Sequence, residues 1–223
     1  MKCPSDGDVR SVLDFLRRVE PETFALPATH TDLVFGPSFD TKFLPAYPSQ
    51  LLNPDPFNGK DVLLGTVAGE GVVLAELYIS SRHAKPPDVR GLLMQLLDAY
   101  GVLDASRLLE HYASHGQWDN HTLTVGFAKR VLGDVLYTCP VLYLAEHVSS
   151  SRNNSVHSYV FDHKPSFSVW PDPVAAQYED LDFVFGVPLR QGLGTPQEQV
   201  LSRRLIQLVA GFAKNGYGHF LLR

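Results

Sequence analysis

Along the first segment, apolar positions recur at helical spacing. Val9, Val12, Leu13, Leu16 and Val19 share a stripe, with Asp8 placed to cap and Pro21 to stop the pattern. From Thr23 to Gly59 no period holds, and Pro27, Pro37, Pro45, Pro48, Pro54 and Pro56 predict an irregular path pinned against something larger. Asp61–Val67 is continuously apolar in its middle, the pattern of a strand covered on both faces as in a parallel sheet. It breaks at Ala68-Gly69-Glu70-Gly71, and Val72–Ile79 follows as an amphipathic segment. Helical spacing returns over Val89–Tyr100, Asp104–His115 and Leu123–His147. The last pattern is interrupted near Gly133-Asp134 and by Pro140, which predicts two helices. Val156–Asp162 alternates polar and apolar and reads as a second strand. Thr195-Pro196-Gln197-Glu198 is a capping box with proline at the first helical position. Val200, Leu201, Leu205, Leu208, Val209 and Phe212 then form the predicted buried face of that helix, and Gly216 ends it.

Strands separated by several helices predict the α/β class. Only two or three strands are visible, and a parallel sheet that small leaves open edges and an uncovered face. The pattern therefore reads as part of a fold: an incomplete, mostly parallel sheet with several packing helices. With 223 residues, 44% of them hydrophobic, the chain can bury about 70% of its unfolded surface. That excludes a disordered tail and a disulfide-stapled miniature domain. No apolar run approaches the ~20 residues of a membrane span. A net charge of −5 without any basic block argues against a nucleic-acid partner. Cys3 and Cys139 lack metal-site spacing and read as two unpaired thiols, with a pairing left open. The sequons Asn120-His121-Thr122 and Asn153-Asn154-Ser155 suit passage through the secretory route. The polar start Met1-Lys2-Cys3-Pro4-Ser5-Asp6 carries no signal-peptide pattern.

Local motifs assemble no active site. A carboxylate in a tight turn beyond a buried strand, as in Gly69-Glu70-Gly71, can orient a histidine and stabilise its imidazolium. The glycines would let the backbone turn sharply and leave the acid accessible. By itself the tripeptide is an ordinary solvated turn. His111 and His115 lie four apart on a predicted helix, but no glutamate directly follows the first and no third ligand is apparent, so no metal is expected. The strained elbow Gly-x-Ser-x-Gly is absent; Gly36-Pro37-Ser38-Phe39-Asp40 is its nearest echo. There is no glycine-rich phosphate loop, and no cofactor is expected.

Several segments taken in order resemble the cholinesterase and type-B carboxylesterase family of α/β-hydrolases. Asp61–Gly71 resembles its strand leading to a Glu-Gly pair, and Gly133-Asp134 with Thr138-Cys139-Pro140 resembles its Gly-Asp…Cys-Pro helix. Ser158-Tyr159-Val160-Phe161-Asp162-His163 resembles its penultimate strand. Trp170-Pro171 and Phe183-Val184-Phe185-Gly186-Val187-Pro188-Leu189 resemble the loop and following segment around its catalytic histidine. Leu201-Ser202-Arg203-Arg204 and Phe212-Ala213-Lys214-Asn215-Gly216 resemble its C-terminal helix.

The resemblance implies that residues 1–223 are the C-terminal part of a carboxylesterase type-B domain. The nucleophile-bearing part, with its serine and oxyanion loop, would not be in this sequence. The family runs a Ser–Glu–His triad for carboxylic-ester hydrolysis. Glu70 then falls on the acid position and Gln177 on the histidine position, eight residues before Phe185. A carboxamide does not titrate near neutrality and cannot shuttle the proton, and losing a triad member typically costs about 10⁴-fold in kcat. His163 would be a structural histidine rather than a replacement base. Val73 and Leu74 stand where cholinesterases carry aromatic residues that contact a quaternary ammonium, so choline specificity has no support. Cys139 falls on a family disulfide position whose partner would lie beyond Arg223, and Cys3 on the start of a short disulfide loop lacking its second cysteine. The implied location is extracellular or secretory, and the implied substrate is a small-molecule ester. Two readings stay open beside an inactive esterase piece. One is a non-catalytic adhesion domain like those of neuroligins, with an extracellular protein partner. The other is a truncated relic of an esterase.

Overall fold

The computed structural model describes residues 8–21, 38–52, 57–79, 86–115, 124–151 and 153–216, with the side chains of 86–88 and 115 left aside. The chain divides into two compact units, residues 1–37 and 38–223. In the first, helix α1 (Val9–Arg17) opens where the sequence predicts, with Asp8 Oδ1 accepting the Ser11 N–H at 2.7 Å. It ends at Arg17, a turn short of Pro21, and buries none of its side chains.

The second unit holds the remaining elements. After an irregular stretch and one turn of helix, α2 (Pro48–Leu51), strand β1 (Asp61–Val67) leads into α3 (Val72–Tyr78), α4 (Pro86–Ala99), α5 (Ala105–His115) and α6 (Val125–Gly133). A π-helical turn (Asp134–Thr138) joins α6 to α7 (Cys139–Ser149), and β2 (Ser155–Phe161) follows. The chain finishes with α8 (Glu179–Val184), α9 (Val187–Gln191) and the long α10 (Pro196–Asn215). Strands β1 and β2 pair in parallel from Asp61↔Ser155 to Val67↔Phe161, with the helices α3–α7 forming the crossover between them. This is an α/β arrangement with a small open parallel sheet.

Four details differ from the sequence-based expectations. First, β1 is fully buried only at Thr66 and Val67, not along its whole length, because the sheet has two strands among the described residues. Second, the Gly133–Pro140 interruption does separate two helices as expected, but a π-helical turn joins them without a loop. The Cys139 N–H reaches back five residues to the Asp134 carbonyl, and this wider turn precedes Pro140, which has no N–H to offer. Third, the region 183–189 forms two short helices, where the sequence comparison gave only a loop and a following segment. Fourth, α10 buries Glu198, Ser202 and Leu205, whereas Val200 is exposed, so the buried stripe is rotated from the predicted one.

Two clusters make the core. The larger is helical and centres on Leu93, Leu97, Leu109, Phe127, Val131 and Leu132, all fully enclosed. The smaller sits at the carboxyl ends of the strands, where Val67, Phe161, Ala175, Phe183 and Leu205 meet. The Ser202 hydroxyl donates to the Phe183 carbonyl at 2.7 Å, fixing α10 on α8. No helix among the described residues is long and apolar enough to cross a membrane.

Candidate active site

Beyond β1 the parallel pairing continues into the loops. Ala68 N–H donates to the Phe161 carbonyl at 3.0 Å and Gly69 N–H to the Ala175 carbonyl at 2.9 Å. Gly69 and Ala176 form a parallel bridge, so Glu70 and Gln177 follow as neighbours on adjoining segments. The glycines beside Glu70 are needed for space, not for the sharp turn expected of them. Gly71 has an ordinary φ of −82°, yet a Cβ there would collide with the Lys129 carbonyl and lie 2.6 Å from the Gly133 nitrogen. A Cβ at Gly69 would lie 2.7 Å from the Ala175 carbonyl. The acid is thus carried on backbone wedged between the end of α6 and residues 174–176.

Glu70 accepts the Val67 N–H at 2.9 Å. Burial raises its carboxyl above the usual range, the Val67 bond opposes this, and the nearby Asp180 charge adds to it. Gln177 is half-buried, and Tyr137, which the π turn supplies, lies close enough for the amide to act on its hydroxyl. Burial pushes the Tyr137 hydroxyl up and the Gln177 amide draws it down, with Glu70 among the negative groups raising it. Tyr159 donates to Asp180 at 3.1 Å, and burial together with that carboxylate pushes its hydroxyl up to about 12. Directly after Gln177, Tyr178 takes a left-handed conformation (φ 72°), a strain of about 1–3 kcal/mol for a bulky residue. Glu179 then closes the loop by accepting the Ala176 N–H at 2.7 Å.

A cleft of about 380 Å³ opens beside Gln177, walled by Val73, Phe167, Trp170, Tyr178 and Asp182 among others. Val73 and Leu74 separate here: Val73 faces the cleft, while Leu74 packs on the helical core. Lys129 of α6 ties the region together, bonded to Asp172 at 2.7 Å and Glu76 at 2.5 Å, with all three side chains largely buried. Burial pulls its ammonium down, but the two carboxylates outweigh that and hold it above its usual value.

His163 does not join this group through its Nε2, which donates to Glu198 Oε1 at 2.9 Å while its ring packs edge-on against Phe161 and Phe183. Cys139 is an exposed free thiol. His111 lies on α5, and among the described residues no three ligand-type side chains are placed to hold a metal ion. Cys3, Asn120 and the Gly36-Pro37 part of the elbow echo lie outside the described residues. Sequence reasoning missed Tyr137 and Lys129. The proline inside an otherwise apolar helix was the available signal for the first. The second had none, because its partners come from distant segments.

The sequence profile of the carboxylesterase family matches residues 1–219. Among curated proteins, the acetylcholinesterase of Bungarus fasciatus is 30% identical over 191 residues, covering 82% of this chain and 31% of that protein. Acetylcholinesterase-1 of Trittame loki is 26% identical over 196 residues, covering 82% and 34% respectively. The chain therefore spans about a third of the length of the curated relatives it matches. A parallel strand pair, a Glu-Gly pair wedged at its carboxyl end and a collinear match over nearly every residue lead to one conclusion: this chain belongs to the carboxylesterase family.

Proposed function

We propose that residues 1–223 are the acid-bearing C-terminal part of a domain built for carboxylic-ester hydrolysis, with the proton shuttle removed. The bridge between Gly69 and Ala176 supports this reading, since the residue that follows the first is an acid and the residue that follows the second a carboxamide. In a serine esterase the acid orients an imidazole that takes the nucleophile's proton and returns it to the leaving alcohol. Gln177 can hydrogen-bond to Tyr137 but has no proton to exchange near neutral pH. The reading also places the protein in the secretory pathway or outside the cell, with a small-molecule ester as the substrate of a working parent domain.

Purified protein should show no serine-dependent turnover of a p-nitrophenyl ester. Turnover abolished by an organophosphate overturns the inactive reading. The placement is tested separately by Gln177→His. The new imidazole should titrate about one pH unit higher with Glu70 present than in the Glu70→Gln/Gln177→His double variant, read from ring-proton NMR shifts. Equal values would mean that the acid does not face position 177.

A second reading, a non-catalytic cholinesterase-like adhesion domain, is favoured by the same carboxamide, because a binding surface needs no proton shuttle. Capture of an extracellular protein partner at micromolar affinity, unaffected by Gln177→Ala, would support it over a decayed esterase.

A further inference from the structure

We propose that Lys129 and Asp172 act together as positioning residues, an ion-pair tether that holds the segment 172–177 on α6 and so sets the place of position 177. The tether stands on its own geometry; its consequence for the acid and position 177 rests on the reading above.

One ammonium gathers three segments that are remote in sequence. Lys129 Nζ of α6 lies 2.7 Å from Asp172 Oδ2 and 2.5 Å from Glu76 Oε1 of α3, and none of the three side chains is more than 20% exposed. Either carboxylate alone with Lys129 makes a neutral pair, so charge balance needs only one of them. What each is attached to separates their roles. Glu76 sits on a helix that already packs on α6 through Ala75 and Tyr78, in the same core cluster as Phe127 and Val131. Asp172 sits in the irregular stretch before α8, between Pro171 and Pro173, and neither neighbour has a backbone N–H to donate. There the carboxylate side chain supplies the tie that the backbone on either side cannot.

Lys129 also touches the acid's side of the site. Its carbonyl lies against Gly71, directly after Glu70, where a Cβ would collide with it. The tethered segment meets the other glycine: Gly69 N–H donates to the Ala175 carbonyl at 2.9 Å, and a Cβ at Gly69 would lie 2.8 Å from Val174 Cγ2. One residue thus braces the backbone around Glu70 with its main chain and the segment leading to Gln177 with its side chain. Trp170 before Asp172, and Gln177 and Tyr178 after it, all wall the cleft, so the tether fixes that wall as well.

Hydrogen exchange of the full chain, read by NMR, tests the tether. Asp172→Ala keeps the balanced Lys129–Glu76 pair and should speed exchange of the Gly69 amide about tenfold or more. The Ala68 amide, bonded to the Phe161 carbonyl of β2 at 3.0 Å, should not change. Glu76→Gln keeps the Lys129–Asp172 pair and should leave Gly69 unchanged, as should Lys129→Arg. Unchanged Gly69 exchange in Asp172→Ala overturns the tether, as does equal acceleration in Glu76→Gln or at Ala68. For the consequence, Asp172→Ala is added to Gln177→His with and without Glu70→Gln. The difference of about one pH unit that Glu70 makes to the imidazole should fall below about half a unit, and persist when Glu76→Gln is added instead. The charge removed at Asp172 cancels in that difference, which therefore reports position. A difference that survives Asp172→Ala overturns the positioning role. A difference near zero with Asp172 in place fails the acid–177 reading alone, and Gly69 exchange still decides the tether.

Discussion

Glu198→Ala should destabilise the protein by about 3–5 kcal/mol, read as a shift in the denaturant midpoint at constant slope. The carboxylate is 2% exposed and accepts four hydrogen bonds: Ser166 N–H and His163 Nε2–H on Oε1, and Ser166 O–H and Thr195 N–H on Oε2. Removing it leaves a buried gap and takes the acceptor from donors of the loop after β2 and of the first turn of α10. Those bonds, led by Ser166 and Thr195, outweigh burial and hold its carboxyl at about 2 against an ordinary 4.5. A depressed folded-state value means that the stabilisation is complete above the unfolded value and is lost as pH falls from about 4.5 towards 2. Its size is on the order of 3 kcal/mol. The stability gap between wild type and Glu198→Gln should therefore narrow across that acid window. A gap independent of pH, or a cost for Glu198→Ala below about 1 kcal/mol, would refute the assignment.

Gly71→Ala should cost about 3 kcal/mol and loosen the Glu70 corner. The residue's backbone angles suit alanine, so the effect is steric: the new Cβ meets the Lys129 carbonyl and the Gly133 nitrogen, both main-chain atoms of α6 that cannot rotate away. Gly91→Ala is the matched control. It lies in α4 with nothing within 4 Å of the place its Cβ would take, so the helix should gain up to about 1 kcal/mol. Equal responses at the two positions would show that the close approach of α3 to α6 is not real. Amide exchange at Glu70 should rise in Gly71→Ala and stay unchanged in Gly91→Ala.

Much of the fold was legible because local rules and tertiary packing agree there. Asp8 and the Thr195–Glu198 capping box start α1 and α10 where their side chains can reach orphan N–H groups, and Gly216 ends α10 with φ 70°. Strand β2 lies within one residue of its predicted span because alternation is a period-two signal. The π turn was illegible since Pro140 says only that an ordinary helical bond is missing, not that the helix continues around the gap. The buried stripe of α10 was misplaced because its pattern ranks Val200 above Ser202 and Glu198, and only the partners Phe183, Ser166 and His163 reverse that order.

The candidate site divides the same way. Residue type alone decided what position 177 can do, since a carboxamide lacks a usable proton wherever it is placed. Residue type also made Glu70 an acid. The tertiary structure decided which groups meet. The Gly69–Ala176 bridge joins the segments that carry Glu70 and Gln177, the π turn brings Tyr137 near that amide, and Lys129 joins Glu76 to Asp172. It also sent His163 to Glu198. Side-chain chemistry belongs to single residues and can be read from them, whereas proximity between residues far apart in the chain is created by packing.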